Sequence, residues 1–288
     1  MSIATELQAL NDNILDAYTA VQGKGGTVPA NKNTANLDMA IASIPAGPEA
    51  YIPLEVTGQG VLQRPSTSFT WSAPNTATSI GENGLFYSFY DYPTLLSVDL
   101  SNITTVGAYG LYYAFFSCTS LASIDLSSVT TIGDRGLYYA FSHCTSLTSI
   151  DLSSVTNIGQ YGLQDAFDQS GLVSADLRNV TSVAACGLYS TFNLCRRLTS
   201  VNLTSLTNIN ANQALYRAFR GCTSLTTISF PALTTSSFGS YTNQFNDMLN
   251  SCSNVTVHFP SAIQSTIGNW SSVTSGFGGT NTTVLFDL

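Results

Sequence analysis

Cysteine, histidine and aspartate are where chemistry could start in this chain, so their spacing decides the first question. The 288 residues include six cysteines and two histidines. Cys118, Cys144, Cys195 and Cys222 each stand three residues after a phenylalanine, and Ser170 fills the same place in between. Equal placement marks copies of one position. A small buried side chain suits that position better than a metal ligand, because zinc sites draw paired ligands from one short loop. Cys186 and Cys252 fall outside this register and read as free thiols. His143 occupies a place held by Ser117 one copy earlier and by Leu194 later, so no catalytic histidine is expected. No acidic pair stands apart from the repeat, which leaves glycoside hydrolysis without a site. Gly23-Lys24-Gly25-Gly26-Thr27 lacks the Gly-Lys-Ser/Thr ending of a phosphate loop and reads as a turn. The expectation is a protein with no catalytic site, no metal and no cofactor.

Two rows of residues remain that could bind something. Asp99, Asp125, Asp151 and Asp176 recur at the repeat spacing and continue as Asn202 and Ser229. Beside them run Ser97, Ser123, Ser149, Ser174, Ser200 and Thr227. On strands about 4.8 Å apart, in-register carboxylates repel one another. The row therefore reads either as a solvated ladder or as a face for Ca²⁺ or a polar ligand such as a glycan. The second set is aromatic: Tyr87, Tyr113 and Tyr139, next to Phe86, Tyr112, Tyr138, Tyr189 and Tyr216. One of these rows is expected to pack between neighbouring units, and the other to offer a recognition surface with polar tips.

The elements that must position these rows follow from one repeated phrase, Gly-Leu-x-x-x-Phe. It occurs at Gly84 to Phe89, Gly110 to Phe115, Gly136 to Phe141, Gly162 to Phe167 and Gly187 to Phe192, then as Ala214 to Phe219. Phe245 reads as a seventh, degraded copy, giving Phe-to-Phe steps of 26, 26, 26, 25, 27 and 26. Leu111 and Phe115 lie four apart, the spacing of one helical face, so this half reads as a short helix. The other half, Leu121 to Leu126, alternates from Ile124 onward and reads as a strand, with Ser123 and Asp125 outward. Val129 and Ile132 complete the inward set. One such unit cannot bury its apolar face alone, whereas stacked copies share a core. The fold class expected is an α/β solenoid of about six to seven 26-residue units over residues 80–257. A β-rich cap is expected at 49–79, and a second cap at 258–288.

Residues 1–48 read as a separate helical attachment segment. Ile3, Leu7, Leu10, Ile14, Ala17 and Val21 are spaced 4, 3, 4, 3 and 4, a heptad seam. So short a helix needs either a partner chain or the body of the protein. Self-association, with a trimer preferred, and packing on its own chain both stay open. Ile44-Pro45-Ala46-Gly47-Pro48 reads as a linker. Charged residues make up only 9% of the chain against about a quarter in an average protein. The net charge of −8, with no basic cluster, excludes a nucleic-acid footprint. There is no apolar run long enough to cross a membrane. The first residues carry no secretory signal, so synthesis and assembly in a cytoplasm are expected.

The units typified by Ala140-Phe141-Ser142-His143-Cys144-Thr145-Ser146-Leu147-Thr148-Ser149-Ile150-Asp151-Leu152, with Ile158-Gly159, resemble the BspA-like leucine-rich repeats of bacterial surface proteins. The leader, through Lys32-Asn33-Thr34-Ala35-Asn36-Leu37 and Ala40-Ile41-Ala42-Ser43-Ile44-Pro45, is similar to leaders on virion proteins of phages and prophages. The second resemblance implies a tail or head fibre with the receptor-binding role of an adhesin, anchored to other virion proteins by residues 1–48. Its place would be the virion surface, and its partner a host surface protein or glycan. The repeat resemblance by itself implies instead an adhesin on a bacterial cell surface.

Overall fold

A computed structural model describes residues 55–56, 62–63, 68–73, 75, 77–238, 243–265 and 276–288. The helical leader and its seam residues Ile3, Leu7, Leu10, Ile14 and Val21 lie outside the described residues. Two compact units are present, residues 1–67 and 68–288. In the first, strands β1 (Glu55–Val56) and β2 (Leu62–Gln63) pair antiparallel.

The second unit is a parallel solenoid of about eight turns. Each turn contributes strands that stack on those of its neighbours. One set consists of β3 (Phe69–Ser72), β5 (Leu95–Asp99) and β7 (Ser123–Asp125). It resumes as β9 (Ser149–Asp151), β11 (Ser174–Asp176) and β13 (Ser200–Asn202), and again as β14 (Thr227–Ser229), β15 (Thr256–Phe259) and β16 (Thr283–Phe286). The second ladder crosses the first of those breaks without interruption: β4 (Ser79–Ile80), β6 (Thr105–Val106), β8 (Thr131–Ile132), β10 (Asn157–Ile158) and β12 (Ser182–Val183). The ladders thus run past both boundaries read from the sequence, starting before Ile80 and continuing beyond Val257.

The Gly-Leu-x-x-x-Phe segments are not helices, and the α/β label needs correcting. Among the described residues there is no α-helix, only 3₁₀ turns at Thr235–Ser237 and Ser261–Ile263. Backbone amides alternate between two duties instead. Gly110, Tyr112 and Ala114 donate to the carbonyls of Gly107, Tyr109 and Leu111, closing tight turns. Between them, Tyr109, Leu111, Tyr113 and Phe115 donate to Asp134, Gly136, Tyr138 and Ala140 of the next coil. Every fourth residue, such as Tyr109, Tyr113 and Ser117, takes a positive φ of 51–57°. A four-residue period puts Leu111 and Phe115 on one side of the chain just as a helix would. The physical difference is where the amides go: half of them tie coil to coil. A left-handed residue costs about 1–2 kcal/mol, so every second tie, as at Tyr109 and Tyr113, comes with local strain.

The core is a set of vertical rows. Phe89, Phe115, Phe141, Phe167, Phe192 and Phe219 stack nearly parallel at 5.3–5.6 Å between centroids and are at most 1% exposed. Leu121, Ile124, Leu126, Val129 and Ile132 are buried as expected. The register of the seventh copy differs from the sequence reading. Phe219 donates to Met248 and Leu215 to Gln244, which puts Leu249 in the phenylalanine row and Phe245 in the leucine row. Identity of side chain misled the alignment because both places are buried and apolar.

Candidate functional site

The strand face carries the acidic row where the sequence put it. Asp99 lies opposite Asp125, and Asp151 opposite Asp176. Ser97 and Ser123 pair in the same way, as do Ser149 and Ser174. Their side chains point outward because a strand alternates its sides, while Val98, Ile124 and Ile150 turn into the core. The row continues through Asn202, Ser229 and His258, whose Nδ1 lies 2.8 Å from Asp287 Oδ1. That last pairing depends on how β15 and β16 stack, and nothing in the local spacing announces it.

Each aspartate has a structural task that sequence reasoning missed. The Oδ1 atoms of Asp99, Asp125, Asp151 and Asp176 accept the backbone N–H two residues on, at 2.9, 2.9, 2.8 and 3.1 Å. This is the Asx turn that ends the strand, and Asn202 performs it with Thr204 at 3.3 Å. The signal was present as Asp-x-Ser and Asp-x-Arg after each strand. The backbone N–H of Ser101 beside Asp99 holds its carboxyl below the usual carboxylate range, and Arg178 does the same for Asp176. Asp176 is also paired with the Arg178 guanidinium. Asp99, Asp125 and Asp151 are exposed and keep a second oxygen outside the turn bond.

Between the N-terminal coils this face forms a shallow depression of about 600 Å³. It is lined by Thr70, Ser72, Ser97, Asp99, Ser123, Asp125, Ser149 and Asp151, among others. The arrangement can offer hydroxyl donors and carboxylate acceptors to a polar ligand laid across the strands.

The aromatic rows sit on the turn segments. Tyr87, Tyr113 and Tyr139 stack at 5.0 and 4.8 Å, and Phe86, Tyr112 and Tyr138 at 4.9 and 4.8 Å. At least one row was expected to pack between neighbouring units, and both do. Both rows stack ring on ring, and both leave ring edges partly exposed, most at Phe86 (43%) and Tyr87 (42%). Burial first, then repulsion from neighbouring tyrosines, raises Tyr112, Tyr113 and Tyr138 above the usual phenol range. For Tyr139 the second cause is Asp165. Asp165 ends that row. It is 6% exposed, and burial, with the Asp168 carboxylate as a smaller contribution, pushes it up to about 6.

The sulfur row is structural. Cys118, Cys144, Cys195 and Cys222 donate to the carbonyls of Phe89, Phe115, Phe167 and Phe192 in the preceding coil, at 3.0–3.1 Å. Cys252 joins this row, bonding Phe219 at 3.0 Å, and so is not outside the register once Leu249 replaces Phe245 in the alignment. Burial raises the thiols of Cys144, Cys195, Cys222 and Cys252, that of Cys195 to about 12. His143 leans edge-on against Phe116 and meets Gln169 at 3.3 Å.

The repeats match a known family. Residues 66–186, 112–250 and 189–271 match the family described as BspA type leucine rich repeat region (6 copies). A solved leucine-rich repeat protein from Bacteroides ovatus ATCC 8483 is similar at 19% identity with a TM-score of 0.43. The match covers 70% of this chain and 54% of that one, so the chain spans about half the length of that relative. No curated protein matches in sequence. With well over half of its length matched, the chain belongs to the BspA-type leucine-rich repeat family.

Proposed function

We propose that this protein is a recognition protein of adhesin type, without catalysis, whose strand face meets a polar ligand on a host surface. The observation that carries the reading is the depression over β3, β5, β7 and β9, where the outward side chains are hydroxyls and carboxyls. A row kept only for folding would need one carboxylate oxygen per turn, and Asn202 shows that an amide suffices. The exposed carboxylate oxygens of Asp99, Asp125 and Asp151 outside the turn bonds are what a saccharide or a protein loop would use.

The carrier is read from the leader. Its similarity to virion leaders supports a phage or prophage tail or head fibre, self-associated through Ile3, Leu7, Leu10, Ile14 and Val21, on the virion surface. The repeat family favours the second reading, an adhesin on a bacterial cell surface. Labelled full-length protein should bind host cells saturably and be displaced by unlabelled protein; binding that never saturates would defeat the recognition reading. Light scattering separates the carriers. An oligomer that becomes monomeric on deletion of residues 1–48 supports the fibre, and a monomeric full-length chain removes it.

A further inference from the structure

The turn face carries a cation held between aromatic rings instead of by a carboxylate, and its surroundings define a ligand. Arg135 belongs to a coil whose neighbours place tyrosines on either side of it. Its guanidinium carbon lies 4.5 Å from the Tyr161 ring centroid and 5.5 Å from that of Tyr109. One of its N–H groups donates to the Tyr109 hydroxyl at 3.1 Å. The described arginines with a carboxylate partner, Arg178 and Arg217, bond Asp176 and Asp247. Arg135 has no such partner among the described residues. The adjacent Asp134 turns Oδ1 to the Gln160 backbone amide at 2.8 Å.

We propose that Arg135, with Tyr109 and the Tyr112–Tyr138 stack beside it, forms a subsite for the carboxylate of an acidic saccharide. The proposal rests on the recognition reading above and assigns it a second face. Rings on both sides leave the planar guanidinium its edge, and an edge of parallel N–H donors matches the two oxygens of a carboxylate. The neighbouring groups are phenol tips and ring edges, which suit the hydroxyls of a sugar. The Tyr112 and Tyr138 hydroxyls, like any phenol, are protonated at neutral pH and can donate. A net charge of −8 works against nucleic acids, anionic membranes and heavily sulfated chains, and opposes least an acidic ligand with a single carboxylate among neutral hydroxyls.

The test uses full-length protein and a panel of uronate-containing and sialylated oligosaccharides, each compared with its methyl ester by calorimetry. At least one free acid should bind at least tenfold more tightly than its ester. Arg135→Lys keeps the charge but loses the fork and should weaken that binding by on the order of tenfold. Arg135→Asn, which tolerates the left-handed backbone at 53°, should abolish it with an unchanged melting temperature. Arg197→Gln, which removes an exposed arginine assigned to neither face, should leave it intact. Equal binding of acid and ester, no binding of any panel member, or wild-type affinity in Arg135→Asn would overturn the subsite. Saturable cell binding that persists in any of those cases would leave the recognition reading standing, whereas its absence would sink that reading by itself.

Discussion

The strand face and the turn face of this solenoid use acidic side chains in opposite ways. On the strand face, Asp99 sits at the end of a strand in water, with a backbone amide and the Ser101 hydroxyl to accept from. On the turn face, Asp165 is buried against Tyr139 and Gln164, with Asp168 as a second buried carboxyl nearby. The first environment favours the charge and the second opposes it. An acidic residue is therefore stabilised at the strand ends and penalised where the turn face buries it, as at Asp165, which leaves the strand face as the place where exposed acid can serve recognition.

The largest expected effect lies where the turn segment re-enters the strand. The fourth coil is one residue short, and Gly171 takes the place of Thr145-Ser146 in the coil before. A Cβ there would stand 2.2 Å from the Thr145 carbonyl oxygen, with backbone on both sides. Gly171→Ala should cost about 3 kcal/mol or more, read as a lowered midpoint in urea. A wild-type midpoint would mean that this junction has slack, and that the turn face is less constrained than the strand face.

Asp165→Asn comes next and has the opposite sign. Because its folded value is raised from the usual carboxylate range to about 6, Asp165 favours folding only below about pH 4, and that contribution is lost as pH rises through about 6. The amide should therefore stabilise the protein at pH 7 by up to about 3 kcal/mol and change little at pH 3.5. Asn also suits the left-handed backbone at this position, φ 50°. Equal stability at both pH values would show that Asp165 is charged at no cost.

Asp99→Asn should show the mirror image at small size. Its folded value is lowered, so its contribution is present at neutral pH and lost as pH falls through the carboxylate range. The loss at pH 7 should be a few tenths of a kcal/mol, given full exposure to screening. A loss comparable to that of Gly171→Ala would make the row structural first and a recognition surface second. The smallest effect belongs to Cys144→Ser. Ser170 already occupies that row, so a melting point within a few degrees of wild type is expected, with buried thiols that react with a disulfide reagent only on unfolding.

Much of this was legible in the residues. Copies at 26-residue spacing gave the solenoid, the strand alternation gave the outward Asp and Ser rows, and equal placement after phenylalanine made the cysteines structural. The turn segments were misread because Leu111 and Phe115 satisfy a four-residue period in either backbone. The destination of the amides and a left-handed residue at every fourth place separate turn from helix, and residue types such as Tyr113 and Arg135 give no hint of either. Phe245 was placed by identity, whereas the longer seventh coil is registered by hydrogen bonds that put Leu249 there. The Arg135 setting required three coils to be stacked before Tyr109 and Tyr161 could be seen on either side of it.

The account rests most on the separation of folding from recognition along the Asp row. The direct measurement pairs the melting temperature with host-cell binding for the double variant Asp125→Asn, Asp151→Asn, which keeps the Asx-turn acceptor and removes only charge. An unchanged melting temperature with binding weakened by at least tenfold is the predicted result. Unchanged binding at an unchanged melting temperature would contradict it and leave the row as strand-end chemistry alone.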